Sequence, residues 1–428
     1  MIKTRRYLRL KHTDAAKTLS PARHPPGSTD LSFLSCSQQH RSCKKTPRGP
    51  PPCRYLLPEF HELTRIALII PTLDQSGAER QLAILAAALS QSEFQPKVFA
   101  LNRGGHYETL LKAAGVPVEI LGKSFRFDPT AALRLRQSLR IFQPHIAQSF
   151  LFSANTLVRL PGVVPPGCRI IISERCVDSW KSRWQLTIDR WLVQRADALV
   201  GNSASVLEFY RKLGFPPEKT HLIPNAAPAP DVPLSRATAR KMLQLPEDGP
   251  VIGFVGRLAP QKRLRDLVWA FQLLHQVRPD ARLVLIGDGP ARTTLESLTD
   301  TFDSRPKITF AGHRTDAAAL LPALDAFVLP SEFEGMSNSL MEAMQQGLPC
   351  VVSNIPANTE LIRHMENGLT FPLGDSPALA KALLKLFSTP ALSLQIGRAA
   401  AATIATEYSP ERVLAAWCQL YRSLTASN

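Results

Sequence analysis

Short apolar runs recur along this chain, each followed by a segment of helical length. They fall at residues 66–70, 97–101, 116–121, 146–149, 169–172, 198–201 and 221–224, and again at 251–255, 283–287, 308–310, 326–329 and 350–353. Strands buried on both faces read as continuous apolar stretches, and parallel strands need a crossover, usually a helix. The alternation therefore predicts parallel sheets covered by helices, a doubly wound α/β architecture. Helices are expected at 78–89, 107–114, around Asn155, and at 129–142 and 410–424; the last carries Val413, Trp417, Leu420 and Tyr421 at core spacing. At about 150 residues per domain, a chain this long makes two or three. A linker is expected at 232–250, where three prolines and Glu247-Asp248-Gly249 precede the next strand.

Charge is spread unevenly. Residues 1–64 hold twelve Lys and Arg against four Asp and Glu, half of the formal +16. This stretch is also rich in Pro and Ser, without sustained apolar periodicity, so it cannot offset the entropy of ordering. It is expected to be a disordered basic tail without a catalytic role. The remaining 364 residues carry only a mild positive excess, which makes nucleic acid a poor partner. The apolar runs fall far short of the ~18 residues of a membrane span. Seven cysteines, an odd number without metal-type spacing, suggest a reducing compartment, and hence the cytoplasm.

Residues 329–354 concentrate the chemistry. A strand at 326–329 ends at Pro330, and Gly335 turns the backbone into a helix beginning near Ser337. The amides of Gly335, Met336, Ser337 and Asn338 at that N-terminus favour an anion. Glu334 precedes the helix and Glu342 lies roughly two turns into it. Carboxylates repel phosphate but accept hydrogen bonds from sugar hydroxyls. A corner offering both suits a ligand with phosphates and hydroxyls together, such as a nucleotide sugar.

Glu334 and Glu342 resemble the E-x7-E motif of the retaining, nucleotide-sugar-dependent glycosyltransferases of family 4, which have the GT-B fold. Other motifs fall in the family's order: Gly256-Arg257 with Lys262 resembles G-R-x4-K, Gly287-Asp288-Gly289-Pro290 resembles the G-x-G-P turn, Phe310-Ala311-Gly312 precedes the glutamates and Asn367-Gly368-Leu369 follows them. The resemblance implies two Rossmann-like domains facing each other across a cleft, here 65–245 for the acceptor and 246–408 for the donor. A terminal helix within 409–428 would cross back onto the first domain. It implies hexosyltransferase-type transfer, with retention, from a UDP- or GDP-sugar to a saccharide or lipid-linked acceptor. The nucleotide sugar is a co-substrate, and no other cofactor is expected.

The same resemblance assigns roles. Arg257 and Lys262 meet the charge growing on the leaving diphosphate, and Glu334 lies against the transferred sugar. Glu342 accepts the ribose hydroxyls, while Gly256, Gly287, Gly289, Gly335, Met336, Ser337 and Asn338 shape the donor site. Ser76 and Gly77, in the loop after the first strand, face acceptor and pyrophosphate. No Asp-x-Asp occurs, so the carboxylate pair that many metal-dependent glycosyltransferases use is missing, and two fixed cations are expected to take the charge instead. Two solvated surface cations and a pair of ordinary helix carboxylates are the plainer alternative. Asn225 matches a family position near the hinge, with a structural role.

Two departures stand out. Arg263 replaces the glycine common after the lysine. Residues 148–155 lack the histidine that relatives place there, and His145 lies upstream, so no general base is assigned. Trp180, Trp184 and Trp191 fall on one helical face among Lys181, Arg183 and Arg190, with Arg134, Arg136 and Arg140 preceding them. Such a stripe is expected in the core, with peripheral membrane contact as the alternative. The rival functions are an epimerase or phosphorylase on the same fold, and a non-catalytic protein binding through its basic tail.

Overall fold

The structure, a computed structural model, describes residues 63–125, 128–177, 181–228 and 234–426. The basic stretch expected at 1–64 lies outside the described residues except for its last two positions, and Trp180 lies outside them too.

Two parallel sheets carry the chain. The first contains β1 (Thr64–Ile70), β2 (Phe94–Ala100), β3 (Val118–Ile120), β4 (Ile146–Phe150), β5 (Arg169–Glu174), β6 (Ala198–Gly201) and β7 (Thr220–Leu222), in the order β3-β2-β1-β4-β5-β6-β7. The second contains β8 (Val251–Val255), β9 (Arg282–Ile286), β10 (Ile308–Gly312), β11 (Ala326–Leu329), β12 (Cys350–Ser353) and β13 (Leu369–Phe371), in the order β10-β9-β8-β11-β12-β13. Side chains alternate across each strand, and both faces of the first sheet are covered. Ile66, Leu68 and Ile70 enter one core, while Ala67 and Ile69 enter the other. Strand order reverses between β1 and β4 and again between β8 and β11. Ligand crevices open at such points, beyond the carboxyl ends of the strands.

The terminal helix, Pro410–Thr425, does not belong to the sheet it follows. Val413, Trp417, Cys418, Leu420 and Tyr421 pack into the first sheet's core with Ile66 and Leu68. The helix before it, Pro390–Glu407, places Ile396, Ala400 and Ile404 in the second sheet's core. The chain thus crosses back at Tyr408 and Ser409. The outgoing crossing lies alongside, where the Ala227 amide donates to the Tyr408 carbonyl at 2.9 Å.

One expectation needs correction, and one strand was missed. The stretch 232–250 is not a bare linker, since it contains a helix, Arg236–Met242, started by the Ser235 hydroxyl capping the Thr238 amide at 3.2 Å. Ala239 and Leu243 join the second core. Arg240, 1% exposed, donates to the carbonyls of Ala323, Pro246, Glu247 and Gly249 and ion-pairs with Asp325 at 2.8 Å. Strand β13 was not anticipated either. Three residues on a sheet edge are too short to show periodicity.

Candidate active site

The site grows from loops at the reversal of the second sheet. After β8 come Gly256 and Arg257; after β9 come Gly287, Asp288 and Gly289. These loops lie against each other: Gly256 donates to the Ile286 carbonyl at 3.0 Å, and Leu258 to the Asp288 carbonyl at 2.9 Å. Gly287 is required there twice over. Its φ is 138°, and a β-carbon on it would sit 1.9 Å from the Gly256 carbonyl oxygen. The Gly289 amide and Arg292 hold the Asp288 carboxyl below its usual range. Arg257 is exposed, with no ion pair among the described residues.

Lys262 ends a short turn, Pro260–Lys262, and forms an ion pair with Glu334; their side chains are 16% and 9% exposed. The loop after β8 is stitched to the loop after β11, with Gln261 donating to the Phe333 carbonyl at 2.7 Å and accepting from the Glu332 amide at 2.9 Å. Arg263 takes the left-handed conformation, φ 47° and ψ 38°. It thus adopts the backbone a glycine would adopt freely, and its guanidinium pairs with Asp266 at 2.6 Å.

The site helix runs Asn338–Gln345, capped by the Ser337 hydroxyl. Glu342 is its fifth residue, nearer the N-terminus than two turns. Before the helix, Gly335 forms an antiparallel bridge with Cys176 beyond β5, in the first domain. It is not the conformation that demands glycine but closeness: a β-carbon would lie 2.0 Å from the Arg175 carbonyl oxygen. Met336 is buried, and its carbonyl accepts from the Asn225 side-chain amide at 3.0 Å.

From the opposite side comes the first helix, Gly77–Leu89, with Ser76 at its N-cap. Both Ser76 and Gly77 are exposed. Asn338 donates to the Gly77 carbonyl at 3.2 Å and accepts from Asn225 at 2.8 Å and Gln81 at 3.1 Å. Two helix N-termini therefore meet at the cleft, each with unsatisfied amides and the positive end of a dipole. Across this junction Arg80 ion-pairs with Glu342, whose side chain is only 8% exposed.

Several of these residues escaped the sequence. Arg80 gave no signal, because its partner is 262 positions away. Arg175 donates to Asn225 at 3.1 Å and lies 5.3 Å from the Phe150 ring and 5.9 Å from Trp417. Burial pulls its guanidinium down to about 10. Elsewhere in the first domain a charged cluster is fully enclosed. Asp189 accepts from Arg159 at 2.6 Å and from Lys181 at 2.9 Å, and Lys181 also donates to the Tyr210 hydroxyl at 2.7 Å. That cluster explains why Trp184 and Trp191 are not core: the helix Arg183–Trp191 buries Gln185 and Asp189 instead. Trp184 is 39% and Trp191 71% exposed.

Where relatives place a histidine, Gln148, Ser149 and Asn155 form a buried hydrogen-bonded group, with Ser149 donating to Asn155 at 2.7 Å and Tyr421 donating to Gln148. His145 accepts the Arg65 amide at 2.9 Å, at the strand ends remote from the crevice. Among the described residues, no three His, Cys, Asp or Glu side chains group as metal ligands would. A cavity of about 270 Å³ opens beside Glu334, walled by Val177, Ser205, Phe209, Phe333 and Pro356.

A family model described as Glycosyltransferase Family 4 matches residues 75–229, and one described as Glycosyl transferases group 1 matches 249–389, so all of the second sheet and all but β1 of the first are covered. The chain belongs to glycosyltransferase family 4. As a family 4 chain, it is 32% identical over 196 residues to a lipopolysaccharide core biosynthesis glycosyltransferase, LpsD, of Rhizobium meliloti, covering 46% of this chain and 54% of that protein. It is 33% identical over 157 residues to an Escherichia coli UDP-Gal:alpha-D-GlcNAc-diphosphoundecaprenol alpha-1,3-galactosyltransferase, covering 36% and 41%. The family 4 match therefore spans about half the length of these curated relatives. Among solved structures, Anabaena HepE in complex with UDP-glucose superposes with a TM-score of 0.73 at 20% identity, over 85% of this chain and all of that one. A glycosyltransferase from Rickettsia africae gives 0.73 at 16% over the same share. These likenesses establish GT-B as the fold of this family 4 chain.

Proposed function

We propose that this chain moves a sugar from a UDP- or GDP-sugar to a saccharide or lipid-linked glycan acceptor, with retention and without a metal. The observation that carries the reading is the meeting of two helix N-termini beside Lys262, Glu334 and Glu342, with Arg257 exposed at the crevice. Fixed positive charge there matches a diphosphate, and the paired carboxylates match sugar hydroxyls. As the bond from the anomeric carbon to the phosphate oxygen breaks, negative charge grows on the diphosphate, and Arg257, Lys262 and the helix ends take it up without reorganising. The acceptor oxygen bonds to the same face of that carbon, and its proton passes to the departing phosphate oxygen. That route needs no protein base, in keeping with the interior roles of Gln148, Asn155 and His145. The named relatives point the same way: the Escherichia coli protein uses UDP-Gal and a diphosphoundecaprenol-linked acceptor.

Peripheral membrane contact belongs to the same proposal. Trp184, Trp191 and Ile141 are exposed beside Arg140, Arg183 and Arg190, and such pairing of aromatics with cations suits a headgroup region. Among the described residues, no helix is long and apolar enough to cross a membrane.

The test is a screen of UDP- and GDP-sugars by thermal shift, followed by analysis of the product anomer. A donor at a hundred times its dissociation constant stabilises by about 2.7 kcal/mol. Silence toward every nucleotide sugar, or a product of inverted configuration, refutes the reading.

A further inference from the structure

Three side-chain amides meet where the two helix N-termini approach each other: Asn225, Gln81 and Asn338. An amide fits the same space either way round, and only its partners decide whether it offers oxygen or N–H. Resting on the donor-site reading, we propose that Asn225 and Gln81 are positioning residues that hold the Asn338 side chain with its N–H groups toward the cleft, where it donates to the diphosphate of the donor.

Two separate anchors set the orientation. The first is Arg175, whose guanidinium only donates, so at 3.1 Å it must face the Asn225 oxygen. Asn202 donates to the same oxygen at 3.3 Å. The two Asn225 hydrogens therefore go the other way, to the Met336 carbonyl at 3.0 Å and the Asn338 oxygen at 2.8 Å. The second anchor is main chain. Gln81 accepts from the Ala226 amide and donates to the Ala226 carbonyl, each at 2.9 Å. Neither backbone group can exchange roles, so the remaining Gln81 hydrogen goes to the Asn338 oxygen at 3.1 Å. Both lone pairs of that oxygen are thus taken by buried donors. Turning Asn338 over would set N–H against N–H twice, and buried polar groups left unpaired are costly. Asn202 shows how firmly the group is set: its amide donates to the Arg175 carbonyl and to Asn225, both at 3.3 Å, and its own oxygen stays buried without a partner.

The consequence lies on the other side of Asn338. Its amide nitrogen carries two hydrogens, and the Gly77 carbonyl takes one at 3.2 Å, at the head of the facing helix. Among the described residues the other has no partner, and Asn338 is half-buried at the junction. A phosphate oxygen only accepts, so this face of Asn338 matches it, whereas the amide oxygen would repel it. Gln81, Asn225 and Ala226 belong to the first domain, and Met336 and Asn338 to the second, so the orientation is imposed only while the domains are together.

The test reverses one polarity at nearly constant shape. Asn225→Asp keeps an oxygen for Arg175 but offers Asn338 a second oxygen in place of N–H. Asn338 turns over to meet it, and its own oxygen then faces the phosphate. Titration calorimetry of the full chain with UDP, GDP, uridine and guanosine reads the result. The matching diphosphate is expected to bind weaker by about tenfold or more, and its nucleoside within about twofold of the parent, because only the phosphates meet Asn338. Asn338→Ala weakens the diphosphate as well. In that background Asn225→Asp adds less than about threefold, because the group it positions is already gone. A variant that merely disturbs the fold weakens nucleoside and diphosphate together. Should Asn225→Asp fail to fold, Gln81→Glu reverses the second anchor and runs the same cycle. Equal loss for nucleoside and diphosphate, no loss for either, or losses that multiply in the double variant overturn the inference while leaving the donor site standing. If the unaltered chain binds neither UDP nor GDP, the donor-site reading falls and takes this one with it.

Discussion

Replacing Gly335 by alanine adds a single methyl group at a close approach between the two domains. The new β-carbon would stand 2.0 Å from the Arg175 carbonyl oxygen and 2.7 Å from the Asn202 side-chain oxygen, where ordinary contact begins at 3.4 Å. About 1.4 Å of separation must therefore open. The Arg175 side cannot yield, since it follows β5 and its side chain is packed beneath Phe150 and Trp417. The loop after β11 moves instead, and it carries Glu334 and, through the ion pair, Lys262. Misplacing catalytic groups by on the order of 1 Å costs about 10²-fold in rate. Gly335→Ala is thus expected to lower kcat by about 10²-fold. Donor KM should change less, because the glycine turns after β8 and β9 are untouched. Steady-state kinetics at saturating donor measure this, with a thermal melt to show that the variant is folded. A folded Gly335→Ala enzyme keeping kcat within threefold of the parent would mean that the working site does not use this closed approach.

Other outcomes follow from the same geometry. Arg257→Ala and Lys262→Ala should each lower kcat by about 10²- to 10³-fold, with the double variant short of the product because both meet one developing charge; Glu342→Gln should mainly raise donor KM. Near-normal kcat in both cation variants would make these residues surface charges. Turnover should survive EDTA, and its abolition with rescue by manganese or magnesium would defeat the metal-free mechanism. Arg263→Gly removes a left-handed side chain costing about 1 kcal/mol and loses a partly exposed pair worth less, so the thermal midpoint should hold or rise by about 1–3 °C. A fall beyond that range would mean the Arg263–Asp266 pair matters more than the backbone.

Twelve of the thirteen strands were legible because buried parallel strands leave continuous apolar runs. β13 was not, being three residues at an edge. The helix Arg236–Met242 hid among prolines, since its anchor is a buried arginine rather than an apolar stripe. At the site, the sequence showed which residues sit at strand ends and the helix N-terminus. It did not show Arg80 against Glu342, nor Gly335 against Arg175, because contacts across the cleft leave no local pattern. Trp184 and Trp191 misled for a related reason: Arg159 and Lys181 draw Asp189 inward and turn the helix's polar face to the interior.

The terminal helix has a consequence for how the molecule is made. Trp417 and Tyr421 complete the core around Ile66 and Leu68, yet they are synthesised some 350 residues later. Until they arrive, the first sheet shows an apolar trough on one face, and Arg175 lacks the Trp417 ring against which it packs. Of these two domains, the one synthesised first is thus the last to be finished. Its completion draws the Tyr408 crossing against the Ala227 crossing, so the cleft is hinged only when the whole chain is present.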